Sequence, residues 1–169
     1  MTIKALLLWV LVSSAAPGAD VAPTAVPALD QRIAELVAEV ERGVGDVPVM
    51  LASSLRHADR GSLILVDART QAERNVSIIA GAIALAQADR LTLSPDLHVV
   101  VYCTIGLRSG HAARDLRERG IDAVNLRGGV LAWLAEGGTL VDPAGKPTHR
   151  VHVYGRRWNV VPDSFEAVW

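Results

Sequence analysis

The run Leu97-His98-Val99-Val100-Val101-Tyr102, followed at once by Cys103-Thr104-Ile105-Gly106-Leu107-Arg108-Ser109 and then by the charged stretch from Gly110 to Gly120, constrains the fold more than any other part of the chain. Its apolar residues are continuous rather than alternating, which marks a strand covered on both faces. A tight glycine-containing loop follows, and then a helix that places Ala112, Ala113 and Leu116 on one side and Arg114, Asp115, Arg117, Glu118 and Arg119 mostly on the other. Leu63 to Val66 repeats the continuous run, and Ile121 to Leu126 reads as a further strand. Strand, loop and helix in alternation imply an α/β fold with an open parallel sheet flanked by helices on both faces.

Cys103 is the only cysteine in the chain, so it cannot form an internal disulfide. A thiol between a central strand and the first turn of a helix faces converging backbone N–H groups and the positive end of the helix dipole. That setting favours the thiolate, which is the nucleophile. Gly106 permits a sharp turn, and Arg108 supplies a fixed positive charge where an anionic substrate or sulfur anion would rest. The expected cradle is the set of backbone amides of Thr104, Ile105, Gly106, Leu107, Arg108 and Ser109. Asp67 and Arg69 follow the Leu63–Val66 strand at the sheet edge where α/β proteins bind ligands. They have two readings: ordering the cysteine loop and adding positive charge at its rim, or forming an internal ion-pair cluster with Glu73. His111, one turn into the helix, is not favoured as a base, since a thiolate held by amides needs none.

The segment from Cys103 to Ser109 resembles the active-site loop of the rhodaneses, a cysteine followed by a glycine-containing loop ending in Arg-Ser. Three other pieces fall in that family's order: Leu63-Ile64-Leu65-Val66-Asp67-Ala68-Arg69; Ile79-Ala80-Gly81-Ala82-Ile83, with Ala80 where proline is usual; and Asn125-Leu126-Arg127-Gly128-Gly129-Val130-Leu131-Ala132-Trp133. The resemblance covers roughly residues 47–142. It implies a single-domain rhodanese fold and a sulfurtransferase, with Cys103 and Arg108 catalytic, Thr104, Ile105, Gly106, Leu107 and Ser109 binding the substrate, Asp67 and Arg69 supporting, and no metal or cofactor. Its implied partners are a small anionic sulfur donor such as thiosulfate and a thiol, cyanide or protein acceptor. A persulfide on Cys103 would link the two. The alternatives are a sulfur-carrier or protein-binding module with little turnover and, less favoured, a phosphatase or arsenate reductase. Four residues separate Cys103 from Arg108, whereas phosphatases built on this plan resemble it with a roomier five.

Outside that region the expectations are local. Lys4, the apolar Ala5–Val12 run and the small residues Ser13-Ser14-Ala15-Ala16 read as a secretory signal peptide cut after Ala15, hence an exported, periplasmic protein. The run is too short to span a membrane, so no span is expected in the mature chain. Residues 1–19 form the signal and the start of a Pro/Ala-rich spacer; 20–46 carry the rest of the spacer and an amphipathic helix from Leu29 to Arg42; 47–142 form the domain; 143–169 form an extension packed on it. Formal net charge is −1, which offers no field for nucleic acid. Val47–Leu51 reads as an edge strand because of Pro48, Ser53 or Ser54 as a cap for a helix running to Arg60, and Ile78–Leu85 as a short strand with Gly81 at a close approach. Trp133 reads as core, and Thr139–Tyr154 as a hairpin across a turn-rich loop. His149 and His152 fall on opposite faces of a strand, a poor arrangement for a metal. Phe165 and Trp169 need packing partners that the sequence does not identify.

Overall fold

The computed structural model of the protein describes residues 28–88 and 97–169. The expected signal peptide and the expected spacer lie outside the described residues. In chain order the elements are α1 (Ala28–Val44), β1 (Val49–Met50), α2 (Ala52–His57), β2 (Leu63–Asp67), α3 (Gln71–Val76), β3 (Ile83–Ala84), α4 (Leu85–Ala88), β4 (His98–Tyr102), α5 (Leu107–Glu118), β5 (Ala123–Leu126), α6 (Gly129–Ala135), β6 (Leu140–Val141), β7 (Pro147–Thr148), β8 (Arg150–His152) and β9 (Glu166–Val168).

Five strands form a parallel sheet in the order β1-β5-β4-β2-β3. β4 is its middle strand, and Val99 to Tyr102 are all buried. Alternation along it feeds two cores: Val100 and Tyr102 join Leu55, Leu131, Leu134 and the α1 residues Ile33, Val37 and Val40, while Val99 and Val101 join Ala112, Ala113 and Leu116 of α5. The sheet is therefore covered on both faces, which is why the valine run is unbroken. β1, beginning just after Pro48, lies at one edge, where a residue without an N–H breaks no ladder.

The chain leaves β2 toward one edge of the sheet and leaves β4 toward the other. The crevice between their carboxyl ends is the topological switch point, where open α/β sheets bind ligands. β2 delivers Asp67 and α3 to this crevice, and β4 delivers Cys103 and α5.

Several local expectations change. The helix after β1 begins at Ala52, capped by Leu51 through its backbone, so Ser53 and Ser54 lie inside it, and it ends at His57. Only Ile83–Ala84 of the 78–85 stretch is strand, because Ile78 bridges Val141 and the Ile79 N–H is given to the Tyr102 hydroxyl at 3.1 Å. Gly81 has open space around it and serves a left-handed turn (φ 79°), not a close approach. Trp133 is half-buried, lying over Gly138 with its Nε1 donating to the Thr139 carbonyl at 3.0 Å. The hairpin closes early: β6 pairs antiparallel with β7, but β8 turns away to pair parallel with β9. His149 then meets the Ser164 carbonyl and the Phe165 ring, and the His152 ring accepts the Tyr154 N–H. No described helix is long and apolar enough to cross a membrane.

Candidate active site

The loop after β4 is four residues long, and α5 starts at Leu107, so Arg108 and Ser109 sit in its first turn. Gly106 caps that helix with φ 111°, a conformation other residues rarely adopt. The turn folds the chain back on Cys103: the Gly106 N–H donates to Sγ at 3.2 Å, and the Ser109 hydroxyl approaches Sγ at 3.4 Å. The N–H groups of Leu107, Arg108 and Ser109 open the helix and have no intrahelical acceptor.

The loop is held from outside by two elements. On β5, the Asn125 side chain accepts from Ser109 Oγ at 2.7 Å and donates to the Gly106 carbonyl at 2.9 Å. At the start of α6, the Val130 and Leu131 N–H groups donate to the carbonyls of Cys103 and Thr104 at 2.9 and 3.2 Å. A Cβ on Gly129 would stand 2.4 Å from the Cys103 carbonyl oxygen, so Gly129 makes a close approach to the loop, whereas one on Gly128 would meet Ala132 of α6.

Arg108 does not stand alone. Glu73 of α3 binds its two terminal nitrogens at 2.6 and 2.7 Å, and Arg108 also donates to the Thr104 hydroxyl at 3.2 Å. Glu73 is placed by a capping box, in which its backbone N–H donates to the Thr70 hydroxyl oxygen and its carboxylate accepts from the Thr70 N–H. Burial raises the Glu73 carboxyl, but the hydrogen bonds from Arg108 and Thr70 outweigh it and hold the pKa at about 2. The Glu73 hydrogen bond, with the Cys103 sulfur contributing, raises the Arg108 guanidinium.

Asp67 and Arg69 pair separately, at 2.8 Å and with both side chains fully buried. The Tyr102 hydroxyl donates to Asp67 at 2.7 Å, and Arg69 donates to the Ser77 carbonyl at 2.7 Å. Burial and the neighbouring Asp67 charge push the Tyr102 phenol up. Arg69 thus adds no charge to the rim, and Glu73 belongs to Arg108 rather than to this cluster.

Cys103 is only 1% exposed. It borders a cavity of about 140 Å³ whose other walls are Thr104, Ile105, Leu107 and Arg108 and, from the C-terminal segment, Tyr154 and Trp158. The Tyr154 ring lies 5.2 Å from the Arg108 guanidinium carbon. His111 turns to Arg114, with 2.5 Å between Nδ1 and Nη2.

The Rhodanese-like domain family model matches residues 51–136, just over half of the chain and the whole of this loop. The chain belongs to the rhodanese family. A sulfurtransferase of Allochromatium vinosum is 40% identical over 97 residues, which covers 54% of this chain and 91% of that protein. A tRNA sulfurtransferase of Desulfurococcus amylolyticus is 40% identical over 75 residues, 44% of this chain but 16% of that one. The crystal structure of a thiosulfate sulfurtransferase from Pseudomonas aeruginosa aligns with a TM-score of 0.53 at 24% identity, over 70% of this chain and 24% of that one, and shows the same fold.

This rhodanese therefore brings together Cys103, Thr104, Ile105, Leu107 and Arg108 at one cavity, sets Gly106 and Ser109 against the Cys103 sulfur, and buries Asp67 and Arg69 as a separate pair. Sequence reasoning missed Glu73 as the partner of Arg108, along with Asn125, Tyr154 and Trp158. Only Glu73 left a trace, in the spacing Thr70-x-x-Glu73 of a capping box.

Proposed function

We propose that this rhodanese, a sulfurtransferase-family enzyme, moves sulfane sulfur through a persulfide on Cys103, with an anionic donor such as thiosulfate and a nucleophilic acceptor. The observation that supports it most is the sulfur of Cys103 facing the Gly106 N–H at the start of α5, beside a guanidinium. In the first half-reaction the thiolate attacks the outer sulfur of thiosulfate, the S–S bond breaks, and sulfite leaves with the electron pair. The terminal sulfur, carrying the negative charge, then rests against the opening amides of α5. In the second, an acceptor such as cyanide attacks that sulfur, thiocyanate leaves, and the Cys103 thiolate returns. Sulfur changes hands without any external oxidant.

In this reading Arg108 orients the donor more than it attracts it, because Glu73 neutralises most of its charge. Asp67 and Arg69 support the floor of the site. The protein is proposed to act after export, on the strength of residues 1–19.

Intact mass after thiosulfate treatment tests the central step. The wild type gains one sulfur atom, Cys103→Ser gains none, and added cyanide strips the sulfur over many turnovers. Loading of both proteins, or of neither, would reject the mechanism. Loading without repeated turnover would instead mark a sulfur carrier.

A further inference from the structure

Part of the wall of the Cys103 cavity comes from outside the region that matches the family. The matched residues end at 136, yet Tyr154 and Trp158 wall the cavity opposite the loop. The segment carrying them is fixed in place. Val151, Val153 and Val160 are buried in the main core, β8 is paired with β9, and Arg157 forms an ion pair with Glu39 of α1. Trp158 packs against that core. Tyr154 has φ 70°, the one positive value among the described non-glycine residues, which for a bulky side chain is a costly conformation. That strained backbone holds the ring, itself 65% exposed, over the Arg108 guanidinium.

We propose that Tyr154 and Trp158 are specificity-determining residues that set the width of the passage to Cys103. They admit donors and acceptors that are slender next to the reacting atom, such as thiosulfate, cyanide and small alkyl thiols or persulfides. They turn away those carrying a fused or heavily substituted aromatic group there. Volume supports this: an apolar cavity of about 150 Å³ takes a single benzene-sized group, and here about 140 Å³ must also hold the transferred sulfur. The assignment to donors and acceptors rests on the sulfur-transfer reading; the passage itself does not.

The test uses the full chain as wild type, Trp158→Ala, Tyr154→Gly and Trp169→Ala. Tyr154→Gly removes the ring and relieves the positive φ, so it retains the fold even if Trp158→Ala does not. Trp169 belongs to the same segment but stacks on Arg156, away from the cavity. Alkylation of Cys103 by iodoacetamide and by N-(1-pyrenyl)maleimide is followed by intact mass, and the ratio of the two rates is read. The ratio is expected to shift toward the bulky reagent by about tenfold or more in Trp158→Ala and Tyr154→Gly, the scale of discrimination a pocket wall supplies, and to stay put in Trp169→Ala. Sulfur transfer from the loaded enzyme to 2-mercaptoethanol and to 2-naphthalenethiol should shift in the same sense. Equal alkylation ratios in all four folded proteins overturn the proposal, as does an equal shift in Trp169→Ala. A wild type that alkylates selectively but never carries a persulfide keeps the gate and rejects sulfur transfer. Persulfide loading with unmoved ratios does the reverse.

Discussion

Two carboxylate–guanidinium pairs lie at the crevice between β2 and β4 and behave differently. Asp67 ends β2 and Arg69 lies in the turn after it, and both are sealed, with neither side chain reaching solvent. Glu73 and Arg108 come from α3 and α5, with the carboxylate 2% exposed and the guanidinium 32% exposed at the cavity edge. Both Asp67 oxygens accept from protein groups, the Tyr102 hydroxyl among them, and Arg69 donates onward to the Ser77 carbonyl, although its buried Nη1 finds no hydrogen-bond partner among the described residues. The second pair is sealed at the carboxylate and open at the cation. Similar chemistry thus serves as a fixed floor in one place and as a braced, substrate-facing arm in the other. Burial decides which, since a charge turned to the site must keep one edge uncovered while its partner holds it still.

The largest effect that can break this contrast is on stability. Arg69→Met leaves the Asp67 carboxylate buried without its partner, and removing one member of a buried pair costs about 3–5 kcal/mol. Urea denaturation should show the full loss, whether or not the cavity is occupied. A cost near that of an exposed surface pair would mean that Asp67 finds another partner, and the floor would not be rigid in the sense argued above.

The part of this contrast that could be read from sequence was the part built from neighbours. The unbroken Val99-Val100-Val101 run announced a strand covered on both faces, and the spacing from Cys103 to Arg108 announced the loop. The stripe Ile33, Val37 and Val40 announced a helix that had to bury one face, and it enters the core that also receives Leu131 and Leu134. Asp67 and Arg69 are two residues apart, so a local pair was one of two readings. One of those readings groups Glu73 with this pair, whereas its hydrogen-bonded guanidinium lies 35 residues away, across the crevice. Asn125 looked like any strand residue, since nothing in its neighbours says that its amide ties down Gly106. Tyr154 and Trp158 escaped for the same reason more strongly. Their position depends on the parallel pairing of β8 with β9, and no short-range period reports such a pairing.

The arm is sharpened next by Glu73→Gln. The amide can still meet one Arg108 nitrogen, but it loses the paired charges, and a hydrogen bond to a charged group is worth about 1.5–3 kcal/mol. Stability should fall by about 2 kcal/mol. Sulfur loading of Cys103 should slow by about tenfold, as expected when a positioning group drifts. Acid titration adds a signature. The Glu73 carboxyl is depressed to about 2 in the folded protein from an ordinary 4.5, so the unfolded chain binds more protons between those values. Its contribution is therefore complete above about pH 4.5 and drains away as pH falls toward 2. Glu73→Gln should flatten the acid limb of the stability curve in that window. An unchanged limb would remove Glu73 from the brace and return Arg108 to the role of a free anion-attracting charge.

The smallest effect isolates what ties the floor to the strand beneath the site. Tyr102→Phe keeps the ring but deletes the hydroxyl that donates to Asp67 at 2.7 Å and accepts the Ile79 N–H at 3.1 Å. Both partners are buried and would be left one hydrogen bond short, a loss of about 1–2 kcal/mol. Because Asp67 keeps Arg69, the cost should stay well below that of Arg69→Met, and a double mutant should cost less than the sum, since the two residues share one carboxylate. Strict additivity in that cycle would separate the hydroxyl from the ion pair. The floor would then be two independent contacts, and Tyr102, next to Cys103 in the chain, would anchor the Ile79 turn without steadying the site.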